Sequence, residues 1–319
     1  MGYGQYSFEA HEAFTAKRAD QSAEEVFTQR ACHQSMNPHG VKTREARDSE
    51  AHPHSVPVVF ALDVSGSMGQ IPHGLATRTM PKFMQKVTAV LPDAQVCFMA
   101  VGNGHTDRSP LQVGQFESEA HAIDQWLSRI HLEGEGGGLG ESYDLAMYFG
   151  AHHVAADAFE KRGKKGYFFI TGDEPPFSRS DRAVMTKVLG AAPAEVSDIY
   201  TTVETLQKRW HVFFLIPDAP RAKQWGVGDI WDKILHEAAL VLANPEETAV
   251  AAALLVAITE GQLAAEVDIA NAAQQLGGFH PEMCAALAKK LEVYRAALAR
   301  GPLAPPTRMG ERSDPGVKG

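Results

Sequence analysis

Residues 58–69, VVFALDVSGSMG, open as an unbroken apolar run and close on one carboxylate and two hydroxyls, Asp63, Ser65 and Ser67. The run 56–62 has the near-continuous hydrophobicity of a parallel strand covered on both faces, so its polar end marks the carboxyl edge of a sheet. Open α/β sheets bind their ligands at that edge. A carboxylate followed by alternate hydroxyls is a hard-cation pattern, because Mg²⁺ takes small oxygen donors, keeps some water and uses few protein ligands. Gly66 and Gly69 permit the sharp turn that aims both serines at one point. Without its context the same string reads as a serine-glycine turn capping a helix.

A second apolar run lies about a hundred residues on, in GYFFITGDEPP (166–176), where Tyr167 to Ile170 lead to Asp173. In a doubly wound sheet of order 3-2-1-4-5-6, strands one and four adjoin, so Asp63 and Asp173 emerge side by side. Two acids placed there need a cation between them, or a proton on one. Alone, Asp173 reads as a loop cap before Pro175 and Pro176.

With DVSGS at 63–67 and TGDE at 171–174, the chain resembles the von Willebrand factor type A (VWA) domain, whose metal-ion-dependent adhesion site combines DxSxS, a threonine and an aspartate. The resemblance covers roughly 56–260. It implies a Rossmann-like α/β fold with Asp63 as anchoring acid, Ser65 and Ser67 as direct ligands, and Asp173 as a ligand acting directly or through water. The expected ion is Mg²⁺, with Mn²⁺ or Ca²⁺ also suited to oxygen donors. The chain departs from the family at the threonine: EGEGGGLGESYDLA (133–146) places Gly138 where the family often has the last residue of GGT. Water, a backbone group, Glu141 or Ser142 must then replace that hydroxyl, and Glu141 is the preferred candidate. In the alternative, Glu141 and Ser142 only cap the helix that follows.

The chain has 319 residues, 44% of them hydrophobic, and a net charge of −9. That suffices for one large domain with additions. Cys32, Cys97 and Cys284 show no paired spacing, which argues for a reducing compartment and against a disulfide framework. The amino terminus lacks a basic segment followed by an apolar run, and Tyr6 stands where myristoylation wants Ser or Thr. The longest apolar stretch, 249–258, is too short to span a bilayer. These features predict a cytoplasmic protein that engages neither membrane nor nucleic acid, since phosphate binding needs a concentrated basic face. The short cluster Lys161, Arg162, Lys164 and Lys165 reads as a solvated turn.

Four regions are expected. Residues 1–55 form a helical extension, with capping-box spacing at Ser22 and Glu25, followed by an irregular linker. Its Cys32, His33, His39, His52 and His54 lack the spacing of a zinc site. Residues 56–260 form the VWA-like domain, a mostly parallel six-stranded sheet of order 3-2-1-4-5-6 flanked by helices. In it Pro81 marks a first helical turn or a kink, 111–116 an edge strand, and Asn244 to Glu247 a helix start. Residues 261–301 add two helices, the second over 281–300, and 302–319 read as a disordered tail.

Enzyme motifs are weak. A haloacid-dehalogenase-like phosphatase wants an aspartate where Ser65 stands. The glycine run 134–140 lacks the Lys and Ser/Thr of a phosphate-binding loop, and neither HExxH nor GxSxG occurs. The sequence therefore reads as a divalent-metal-dependent protein-interaction module that binds an acidic side chain of a partner and is not an enzyme. By family resemblance the partner system includes an AAA+ ATPase. Trp225 and Phe177 are candidate surface aromatics. The second function considered is a Mg²⁺-dependent phosphate-ester hydrolase, and a third gives the metal a purely structural role.

Overall fold

The structure, a computed structural model, describes residues 4–66, 68–133 and 140–308, except for the side chains of residues 221, 224 and 225. Ser67, Gly138, the side chain of Trp225 and most of the expected tail (309–319) lie outside that set.

Among the described residues there are eight strands: β1 (Arg44–Ala46), β2 (Val56–Asp63), β3 (Ala94–Val101), β4 (Leu111–Val113), β5 (Val154–Ala156), β6 (Gly166–Thr171), β7 (Trp210–Ile216) and β8 (Ala239–Val241). Six of them form a sheet in the order β4-β3-β2-β6-β7-β8, in which only β4 runs antiparallel to its neighbour. The remaining two, β1 and β5, pair in parallel with each other, so the labels run differently from the expected 3-2-1-4-5-6. The expected irregular linker thus contains a strand, β1, which the short sequence Arg44–Ala46 does not announce by any alternation.

Residues of β2, β3 and β6 are buried throughout, as apolar runs covered on both faces must be. Register sets Phe60 opposite Phe98 on one side and Phe169 on the other, and Phe169 opposite Phe213. The rings stack at 6.2, 5.2 and 5.1 Å between centroids, a ladder in which each pair adds about 0.5–1.5 kcal/mol beyond area burial. Phe83 of the helix Met80–Val90 and Tyr294 of the helix Pro281–Arg300 meet this face edge-on, at Phe60 and Phe213. Phe168 points to the opposite face, as strand alternation requires. There it lies so close to Gly150 of the helix Tyr143–His152 that no side chain fits at 150. The sheet therefore lies between two helical layers.

The helix Glu247–Thr259 is hydrophobic on all sides and buried accordingly. Its Glu247 is satisfied by the backbone N–H of Ala243 at 2.8 Å. A helical stretch from Gln70 to Val90 passes through a π-helical segment, Leu75–Thr79, where the Met80 N–H reaches Leu75 O. Pro81 sits just beyond it, in the first turn of the following α segment, where its missing N–H costs least. The capping box at Ser22 and Glu25 is formed, and the helix Pro281–Arg300 has the expected bounds.

Two expectations are corrected. Among the basic cluster, Arg162 bonds Asp48 at 2.7 Å and Ser55 O at 2.6 Å, Lys161 pairs with Asp157, and Lys164 with Glu260. Arg162 and Lys164 thus join this turn to the linker and to the end of the helix Glu247–Thr259, while Lys161 is 58% exposed and pairs within its own helix. The described part of the tail, residues 302–308, is anchored: Leu303 packs on the core, Thr307 N–H donates to Lys233 O, and Arg308 pairs with Asp198 at 2.9 Å. Composition alone reads such a stretch as unfolded because its contacts come from distant residues. Among the described residues, no helix is long and apolar enough to cross a membrane.

Candidate metal centre

Asp63 is the last residue of β2, fully buried where the apolar strand gives way to the Val64–Ser65–Gly66 turn. Its Oδ1 accepts the Ser65 backbone N–H at 2.9 Å, and the Ser65 hydroxyl bonds the same carboxylate. Its Oδ2 accepts the Tyr143 hydroxyl at 2.7 Å. Leu62 pairs with Thr171 across the β2–β6 ladder, so Asp173, two residues further on, leaves the adjacent strand at the same edge. Burial pushes the Asp63 carboxyl up to about 6; its hydrogen bonds with Ser65 and Tyr143 hold it down, and the charge of Asp173 pushes it further up.

Glu141 approaches from the third loop. Its backbone bridges to the 175–176 segment, with its N–H donating to Pro175 O at 3.2 Å. The following Ser142 donates its N–H to Gly102 O at 3.2 Å, accepts the Gly104 N–H at 2.9 Å through its hydroxyl, and so fastens this loop to the end of β3. Asn103 adds a bond to Gly140 O at 2.9 Å, and Asp107 accepts the Asn103 N–H at 2.7 Å. Glu141 is 4% exposed, and its Oε2 is buried without a hydrogen-bond partner. Burial, reinforced by Asp63, Asp107, Glu174 and Asp173, lifts its carboxyl to about 9.

The structure thus gathers Asp63, Ser65, Asp173 and Glu141 at the carboxyl edge of the central strands; Ser67 lies outside the described residues. Sequence reasoning missed Tyr143 and Asp107. The loop GNGHTD (102–107) carried the available signal, since β3 also stops on polar residues at the ligand edge. For Tyr143 the signal was weaker: a hydroxyl-tipped aromatic at the first helical position after Glu141. It packs edge-on to Phe214 and Trp231, and Gly172 has no room for a Cβ because the Tyr143 hydroxyl occupies it.

These donors fit a hard cation. All are oxygens, the carboxylates repel one another in a buried place, and Glu141 Oε2 lacks a partner that a buried carboxylate requires. Among the described residues no group of three or more His, Cys, Asp or Glu side chains is arranged to hold a metal. An ion here therefore depends on serine oxygens and water beside the carboxylates, as Mg²⁺ commonly does. Ser65 borders a cleft of about 980 Å³ whose other walls include Glu24, Phe27 and Arg30 of the N-terminal extension, Gln70 and His73, and Leu132.

No protein-family model matches the chain, and no curated protein matches it. Among solved structures it is similar to the open conformation of the pilus adhesin SpaC from Lactobacillus rhamnosus GG, at 11% identity and a TM-score of 0.43, over 67% of this chain and 30% of that one. It is also similar to proximal thread matrix protein 1 from the mussel byssus, at 11% identity and a TM-score of 0.39, over 69% of this chain and 50% of that one. The chain spans half or less of either protein, and similarity at this level carries no functional argument.

Proposed function

We propose that this chain is a cytoplasmic protein of the VWA type, doubly wound around a metal-ion-dependent adhesion site, and that it binds an acidic residue of a partner protein through a divalent cation. The single observation behind this is the convergence of Asp63, Ser65, Asp173 and Glu141 at one buried sheet edge, where Glu141 Oε2 has no hydrogen-bond partner. Asp63, Ser65 and Asp173 would hold Mg²⁺, with Ser67 as a further ligand and Glu141 in place of the family's threonine. The bound ion supplies a positive centre for an incoming carboxylate. Tyr143 and the Ser65 N–H orient Asp63, while the Asn103 and Ser142 bonds hold the Glu141 loop against β3. Partner carboxylate and cation would meet where water is partly excluded, so the attraction exceeds that of an exposed pair. By family resemblance, an AAA+ ATPase is the partner system to test first.

The test is capture of partners from source lysate with Mg²⁺ and with chelator, using the native protein and Asp63→Ala. Proteins retained only by the native chain in Mg²⁺ support the proposal. Equal capture in all arms, with Asp63→Ala merely less stable, would assign the ion a structural role. Mg²⁺-dependent turnover of generic phosphate esters would favour a hydrolase instead.

A further inference from the structure

Three cavities succeed one another from the Ser65 loop along the helical stretch Gln70–Val90, adjacent ones sharing lining residues. The cleft beside Ser65 shares Gln70 and His73 with a cavity of about 320 Å³, which shares Arg78, Thr79, Glu246 and Ala249 with a third of about 150 Å³. The resulting trough follows residues 70–83 through the π-helical segment, an irregularity that occurs frequently at functional sites. Its far end is apolar, formed by Phe83, Val250, Ala253, Leu276 and Phe279.

The flanks carry three exposed fixed cations, Arg30, Arg78 and Lys82, against two carboxylates, Glu24 and Glu246, with His73 and His131 between. In a chain of net charge −9 this is a local reversal of sign. Arg78 and Glu246 stand 3.8 Å apart and both are more than half exposed, so Arg78 remains available to a ligand. The wall opposite Ser65 belongs to the N-terminal extension, clasped at both ends: His73 Nε2 lies 2.8 Å from Gln21 O, and His131 Nδ1 lies 2.9 Å from Gln29 O.

We infer that this trough receives an extended acidic segment of the partner, running from the Ser65 loop to the apolar end; this rests on the metal-bridged function proposed above. Thirteen helical steps separate Gln70 from Phe83, a span of about 20 Å. An extended segment covers it in about six residues. The partner segment therefore carries a carboxylate at one end, an apolar side chain about six residues away, and acidic residues between them facing Arg78 and Lys82. The N-terminal extension forms part of the recognition surface.

The experiment uses the full chain and fluorescein-labelled synthetic peptides of Gly and Ser, each with one Asp and one Leu separated by three, six or nine residues that include glutamates. Fluorescence anisotropy in Mg²⁺ reads peptide binding, and calorimetry separately reads Mg²⁺ binding. The six-residue spacing is expected to bind about tenfold more tightly than the others. The double variant Arg78→Glu, Lys82→Glu should weaken it by about tenfold or more while leaving Mg²⁺ binding unchanged. If Mg²⁺ binds but no peptide does, or if spacing and charge reversal have no effect, the inference is overturned and the metal site stands. If the native chain binds no Mg²⁺, the metal-bridged function itself fails and takes the inference with it.

Discussion

Tyr143 donates its hydroxyl hydrogen to Asp63 Oδ2 across 2.7 Å, joining the first turn of one helix to the carboxyl end of the central strand. Both groups are fully buried, so the Tyr143 hydroxyl depends on Asp63 for its polar partner, and Asp63 Oδ2 on Tyr143. Tyr143→Phe leaves the ring packing intact and removes only the donor. Because hydrogen bonds to a charged group contribute about 1.5–3 kcal/mol, urea unfolding in chelator should show a loss of about 2 kcal/mol. A loss below about 0.5 kcal/mol would mean that the bond does not hold this junction together.

Glu141→Gln should move two properties in opposite directions. It removes an acid whose charged form burial and acidic neighbours disfavour in the metal-free protein, so unfolding in chelator should occur at higher denaturant, by about 1 kcal/mol. It also removes a proposed ligand, so Mg²⁺ affinity should fall by about tenfold or more. A helix-capping role for Glu141 predicts the reverse pattern, with lower stability and unchanged Mg²⁺ affinity.

Gly172→Ala tests the packing that places Asp173. A Cβ at this position would overlap the Tyr143 hydroxyl, and burial leaves neither group room to withdraw. Overpacking of this kind costs about 1–3 kcal/mol. Thermal unfolding should detect it, and Mg²⁺ binding should weaken because Asp173 shifts with its neighbour. A fully stable variant with native Mg²⁺ affinity would contradict this placement.

His11 gives the protein an acid-sensitive joint in the N-terminal helix Phe8–Ala16. Burial pulls its imidazole down to about 4, with Asp124 and Glu119 raising it and Arg18 lowering it, while Tyr6 bonds its Nδ1 at 3.0 Å. An ordinary imidazole titrates near 6.5, so between about 4 and 6.5 the unfolded chain binds a proton that the folded chain refuses. The contribution is present above about 6.5 and is lost as the pH falls toward 4, up to about 2–3 kcal/mol. Urea unfolding at pH 7 and at pH 4.5 should show this loss in the native protein and a smaller one in His11→Gln. Equal losses in both would assign the acid sensitivity elsewhere.

Much of the sheet was legible because its strands are buried on both faces and therefore spell continuous apolar runs ending on acids. Asp63 and Asp173 stand out for the same reason. Three-residue strands such as β1 carry no periodic signal, and β1 is defined only by its pairing with the distant β5. The anchoring of residues 302–308 and the pairing of Arg162 with Asp48 were equally hidden, since each joins segments about a hundred residues apart. Tyr143 shows the limit most clearly: its spacing fits a helix face, and only the packed structure turns its hydroxyl toward Asp63.

The most direct test is a calorimetric titration of the full native chain with Mg²⁺, alongside Asp63→Ala. The native chain is predicted to bind one equivalent, to unfold at higher temperature when it does so, and to lose both effects in Asp63→Ala while remaining folded. Absence of Mg²⁺, Mn²⁺ or Ca²⁺ binding by the native chain, or equal binding by Asp63→Ala, would contradict a metal centre at this edge.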